Sequence, residues 1–90
     1  MAEKQSVEIC DKVAWRIIDG EAVVISLEEP CVRGLNPLAT KIWELLDKKI
    51  TVDEITKVIS NEYDVSPTQA KNDVDELLGK LEERKLISRI

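Results

Sequence analysis

The feature that most constrains this chain is the run LNPLATKIWELLD, residues 35–47, where an extended segment turns into a helix within two residues. Asn36 is a strong helix cap and Pro37 suits the first helical position, because its missing N–H would have no partner there and its φ is already helical. Behind them, Leu38, Ile42, Leu45 and Leu46, with Ala39 and Trp43 beside them, form a wide apolar stripe at helical spacing. The helix is therefore expected to face a core on more than one side, with Lys48 and Lys49 closing it. The short strand before it, residues 31–35 (CVRGL), carries Gly34, which offers no side chain to pack and is read as letting another backbone approach. A bulge before the helix is the plainer alternative for that glycine. A short strand at the edge of a sheet leaves N–H and C=O groups unpaired.

Upstream, residues 13–19 (VAWRIID) alternate Val13, Trp15 and Ile17 with Ala14, Arg16 and Ile18. Asp19-Gly20 follows, a two-residue hairpin signal, and the Val- and Ile-rich residues 21–27 supply the partner strand. Pro30 ends that strand, since it cannot donate to a ladder. Residues 1–12 show little periodicity and are read as a loose arm, with a short strand near residues 7–10 as an option. Residues 13–90 are then one domain, as a length of 90 residues suggests.

Downstream, Thr51 with Glu54 and Ser66 with Pro67 and Gln69 are two further helix starts. The first opens a helix with Ile55, Val58, Ile59 and Tyr63 on its apolar side. The second opens a helix carrying Ala70, Val74, Leu77, Leu78 and Leu81, the clearest amphipathic pattern in the chain, and Leu86-Ile87 follows as a short extended piece that packs back. Too few heptads are present for a coiled coil, so core packing is favoured. Strands followed by helices make an α+β domain: a three-stranded antiparallel sheet, then three helices.

Composition bears mainly on what the chain does not do. With no His, two widely separated cysteines and no glycine-rich loop, the sequence offers no zinc set, no Cys–His nucleophile and no phosphate cradle, so no metal, cofactor or catalytic residue is assigned. Asp73, Asp75, Glu76, Glu82 and Glu83 are read as a solvated helix face. A net charge of −5 disfavours nucleic acid, whose phosphates require a basic surface. No apolar run reaches the roughly 18 residues of a membrane span. With no export segment, Cys10 and Cys31 are expected to be reduced thiols in the cytoplasm, although a disulfide is formally open. Phe is absent, so the core is aliphatic around Trp15 and Trp43.

The hairpin, LNPLATKIWELLD, TVDEI (residues 51–55) and DVDELLGKLEERKLI (residues 73–87) together resemble the PqqD family of pyrroloquinoline quinone biosynthesis and the related RiPP recognition elements, which bind leader parts of precursor peptides. The resemblance covers residues 13–87 and includes no catalytic signature. It implies a small winged-helix-like fold in which a precursor peptide adds as a strand along Cys31, Val32, Arg33, Gly34 and Leu35 and rests against the helix bearing Ala70, Val74, Leu77, Leu78 and Leu81. It further implies delivery of that peptide to a radical SAM enzyme. The chain departs from the family pattern at Lys48 and Lys85, where glycines are common.

Three functions are weighed. The favoured one is a non-catalytic peptide-binding module, in which edge hydrogen bonds give affinity and side-chain pockets give selectivity. A winged-helix nucleic-acid regulator is opposed by the charge. A structural homodimer, formed by edge pairing or by exchange of the arm, is left open by the unpaired edge.

Overall fold

Asp19 and Gly20 both adopt positive φ, 53° and 81°, as a primed two-residue turn requires, and they close strand β2 (Val13–Ile18) onto β3 (Glu21–Ser26) in the register Ile18 opposite Glu21. The computed structural model describes residues 7–28 and 31–89; the expected break at Pro30 and the start of the arm lie outside these residues. β4 (Cys31–Gly34) pairs antiparallel with β3, giving a three-stranded sheet in the order β2-β3-β4. Three helices follow: α1 (Pro37–Asp47), α2 (Val52–Glu62) and α3 (Pro67–Glu83). The α+β architecture is the one expected from the sequence.

The three helix starts are capped as read from the sequence. Asn36 Oδ1 accepts the Ala39 N–H at 2.8 Å, Thr51 Oγ1 accepts that of Glu54 at 3.3 Å, and Ser66 Oγ accepts that of Gln69 at 3.1 Å. The helix ends are built less predictably. After α1 the Lys49 N–H reaches the Leu46 carbonyl at 2.9 Å and the Ile50 N–H reaches that of Leu45 at 3.1 Å. After α3, Lys85 bonds Glu82 and Leu86 bonds Leu81, both at 2.9 Å. Both are Schellman closures, whose left-handed residue is usually glycine. Here Lys49 (φ 61°), Lys85 (φ 61°) and, after α2, Asp64 (φ 51°) occupy that conformation. Lys85 thus stands where the backbone favours a glycine; after α1 the strained position is Lys49 rather than Lys48, whose φ is −81°.

The core joins the inner face of the sheet to all three helices. Ala22 and Val24 from β3 meet Ile42, Trp43 and Leu46 of α1, Ile55 and Ile59 of α2, and Ala70, Val74, Leu78 and Leu81 of α3. Trp43 is fully buried and stands edge-to-face with Trp15, ring centroids 6.1 Å apart at 82°. Tyr63, expected on the apolar side of α2, is instead exposed, because the helix ends there and its residue turns outward as the cap.

The arm is more structured than its composition suggests. Val7–Ile9 forms β1, which pairs antiparallel with β5 (Ile87–Arg89) in a separate two-stranded sheet, and the Cys10 N–H adds a bond to the Leu86 carbonyl at 3.0 Å. Its side chains Val7 and Ile9 pack on the core beside buried Leu86 and Ile87. The pairing joins opposite ends of the chain, so local periodicity carries no trace of it. Cys10 is a free thiol.

Candidate binding edge and cleft

β4 has a hydrogen-bonded neighbour on one side only among the described residues. The direction of each of its backbone groups follows from the ladder. The Leu35 N–H donates to the Ala22 carbonyl at 2.8 Å, and antiparallel pairs alternate between exchanging bonds and not doing so. Arg33, opposite Val24, therefore points its backbone groups at β3. Val32 and Gly34, opposite Ile25 and Val23, turn their N–H and C=O groups outward along the open edge.

The last rung of this ladder is completed by a side chain. The buried hydroxyl of Thr40 accepts the Ala22 N–H at 2.8 Å and donates to the Leu35 carbonyl at 3.2 Å, standing where the return bond of the Ala22–Leu35 pair would otherwise lie. This ties the start of α1 to the end of β4. The edge is consequently fixed in position relative to α1 by three groups in succession: the Leu35 rung, the Asn36 cap and the Thr40 bridge.

Just beyond the end of β4, α1 and α3 diverge and leave a cleft of about 210 Å³. Asn36, Leu38, Ala39 and Ile42 form one wall, and Asp73, Glu76, Leu77 and Lys80 form the other. The volume is below the roughly 300–1,000 Å³ of sites that enclose small molecules, and it suits one or two side chains. Its charges are partly spoken for: Glu76 pairs with Lys80 at 3.4 Å, and Asp73 accepts from Gln69 Nε2 at 2.9 Å.

The residues anticipated from the sequence are divided by these positions. Cys31, Val32, Arg33 and Gly34 form the edge strand, and Leu35 follows it with a buried side chain. A Cβ on Gly34 would meet nothing within 4 Å and would stand on the outer sheet face with Val23, not in the plane through which a strand approaches. The open edge thus owes little to the missing side chain. Of the α3 residues, Leu77 lines the cleft, whereas Ala70, Val74, Leu78 and Leu81 are all at most 3% exposed and face the core. The amphipathic stripe marks what α3 buries, and the cleft wall lies one step round the helix, on Asp73, Glu76, Leu77 and Lys80. Their spacing of three, one and three was the available signal. Thr40, hidden in the apolar stripe of α1, carries no such signal.

Arg33 has an unusual environment. Opposite fully buried Val24, it projects to the helix-facing side of the sheet, is half-buried, and its Nε is buried with no hydrogen-bond partner among the described residues. No group of His, Cys, Asp or Glu side chains that could hold a metal occurs among the described residues. No helix among them is long and apolar enough to cross a membrane.

The family described as coenzyme PQQ synthesis protein D (PqqD) matches residues 21–87. The chain belongs to the PqqD family. Its fold matches TbiB1, solved in complex with the TbiA(beta) leader peptide, at a TM-score of 0.87 and 30% identity, covering 90% of this chain and 94% of that one. It also matches a lasso peptide synthetase B1 complexed with its leader peptide, with a TM-score of 0.85, 20% identity and coverage of 91% and 96%. A third match is the PqqD truncation of Methylobacterium extorquens PqqCD, a stand-alone RiPP recognition element, with a TM-score of 0.74, 20% identity and coverage of 92% and 88%. At that identity the last two establish a shared fold. No curated protein sequence matches this chain. For a PqqD-family member, the free β4 edge and the α1–α3 cleft are the features that require a functional account.

Proposed function

We propose that this protein is a non-catalytic, cytoplasmic peptide-binding module that captures a ribosomal precursor peptide by strand addition and presents it to a modifying enzyme. The observation that carries this reading is the open edge of β4, where the N–H and C=O groups of Val32 and Gly34 point away from β3 with no strand partner among the described residues, just before Asn36 of a cleft of side-chain size. Main-chain bonds along such an edge supply affinity irrespective of sequence, and the cleft supplies selection. TbiB1, 30% identical over most of its length, was solved with a leader peptide, which supports the same class of ligand here. The contact surface comprises Cys31, Val32, Arg33, Gly34 and Leu35 with Leu77 of α3; Ala70, Val74, Leu78 and Leu81 act from the core by holding α3 in place. The family membership favours a radical SAM enzyme as the recipient of the peptide.

Titration of the ¹⁵N-labelled protein with the leader of a precursor peptide encoded beside it tests this. The Val32, Gly34 and Leu77 amides are expected to shift first. Shifts confined to β1, β5 or α2 would remove the edge from the binding site.

A second reading, a homodimer, is favoured by the outer sheet face, where Ile18, Ile25 and Val32 are 49%, 36% and 67% exposed. Sedimentation across concentration distinguishes it: a species that stays monomeric to high concentration excludes self-pairing.

A further inference from the structure

We infer that the peptide held at β4 carries an acidic side chain, Asp or Glu, opposite Arg33, with an apolar residue two positions earlier. This rests on the strand-addition reading and assigns the chemistry that the site selects.

The geometry sets which peptide residue is concerned. Because Val32 and Gly34 point their backbone groups outward, an added antiparallel strand, the pairing that is more stable per residue, exchanges bonds with those two. The peptide residue between those bonds lies opposite Arg33 in a non-hydrogen-bonded pair, where Cα atoms approach to about 4.5 Å and side chains are closest. Both side chains then project to the helix-facing side, as Arg33 already does.

The chemistry follows from Arg33. The guanidinium offers only donors, and an Arg nitrogen shielded from water with no acceptor among the described residues is a costly arrangement unless a partner arrives. A peptide carboxylate meets the requirement in both charge and geometry, as the strongest charge-assisted acceptor available to a peptide side chain. The one cation among the described residues lining the cleft, Lys80, is already engaged with Glu76. Asp73 and Glu76 on the cleft wall disfavour a carboxylate there, so the acidic preference is confined to one position and fixes the register of the added strand. In an antiparallel strand, the residue two places before the acidic one lies opposite Leu35, next in sequence to Asn36 of the cleft wall, so that the apolar cleft residues Leu38, Ile42 and Leu77 are the nearest seat for an apolar side chain. The selected pattern, read from N to C terminus, is apolar, any residue, acidic.

The test uses a phage-displayed library of randomised twelve-residue peptides selected against the full chain and against Arg33→Glu. The native protein is expected to enrich Asp or Glu at one position with an apolar residue two before it; Arg33→Glu is expected to enrich Lys or Arg at that same position. A selected acidic peptide should lose about tenfold or more in affinity with Arg33→Glu, and its Lys-substituted version should recover binding to that variant. Thermal unfolding of the variant establishes that it is folded, and Arg33→Met provides the neutral comparison. Binders with no fixed acidic position, or an equal loss whatever the charge of the peptide, overturn the inference while leaving strand addition intact, provided that the Val32 and Gly34 amides still shift. Selected peptides that leave those two amides unmoved overturn strand addition, and this inference with it.

Discussion

Thr40 holds the backbone of Ala22 through a 2.8 Å hydrogen bond from the Ala22 N–H to its hydroxyl, across 18 residues of sequence and in the buried core. The same hydroxyl donates to Leu35, so one side chain joins β3, β4 and α1. Thr40→Val keeps the shape and removes both bonds, orphaning a buried donor and acceptor. The loss expected in denaturant unfolding is about 2 kcal/mol, and Thr40→Ser should recover most of it. A Thr40→Val protein as stable as the native one would show that the bridge contributes nothing.

Lys49 and Lys85 occupy left-handed positions that L-residues adopt at a penalty of about 1–2 kcal/mol. Glycine relieves that penalty and returns part of it as extra freedom in the unfolded chain. Lys85→Gly is accordingly expected to stabilise the fold by about 1 kcal/mol, raising Tm by roughly 4–8 °C for a domain of this size. A lower Tm would mean that the lysine side chain contributes more than its backbone costs.

On the binding edge, the informative substitution removes a donor that the sheet does not use. The Val32 N–H points away from β3 and its side chain is 67% exposed, so Val32→Pro should leave unfolding within about 1 kcal/mol of native. Calorimetric titration with a leader peptide should then show binding weakened about tenfold or more. Native affinity in a folded Val32→Pro protein would argue that the peptide does not add at this edge.

Neighbouring leucines on α3 separate packing from binding. Leu78 is fully buried, and Leu78→Ala should cost about 2–5 kcal/mol through the cavity left behind. Leu77 is half-buried at the cleft, and Leu77→Ala should cost less in stability while lowering peptide affinity. If Leu77→Ala proved the more destabilising of the two, the assignment of faces on α3 would be wrong.

The Cys10 thiol is pushed above its ordinary pKa, chiefly by burial and then by the carboxylates of Glu28 and Asp11. Because the folded-state value is raised, the thiolate is scarcer at pH 8 in the native protein than in the unfolded one, and stability linked to this group declines as pH rises through the raised value. In a Cys31→Ser background, alkylation by iodoacetamide at pH 8 should be slower in native buffer than in denaturant, and Glu28→Gln should accelerate the native reaction. Equal native and denatured rates would contradict the shift.

The caps at Asn36, Thr51 and Ser66 and the hairpin at Asp19-Gly20 were legible because each is a contact within a few residues, governed by backbone chemistry that the local sequence announces. The apolar periodicity of α3 was equally legible as a core-facing stripe; a ligand wall on Ala70, Val74, Leu77, Leu78 and Leu81 was implied only by the family resemblance, and Ala70, Val74, Leu78 and Leu81 are buried in the core. Amphipathicity reports that a face is covered, and it does not say by what. Thr40 was invisible for a related reason: a threonine inside an apolar stripe gains its role only when β3 and β4 bring Ala22 and Leu35 to either side of it.

What the sequence by itself determined, then, was the inventory of β2 to β4 and the three helices, their starts, the α+β class and the absence of catalytic residue sets, all properties of short-range pattern and composition. The pairing of Val7–Ile9 with Ile87–Arg89, the outward direction of the Val32 and Gly34 backbone groups and the burial of the Arg33 Nε, without a partner among the described residues, were decided by tertiary structure. Each depends on which distant residue ends up alongside. That is set by burial of the whole apolar surface at once, a quantity that no single stretch of the chain contains.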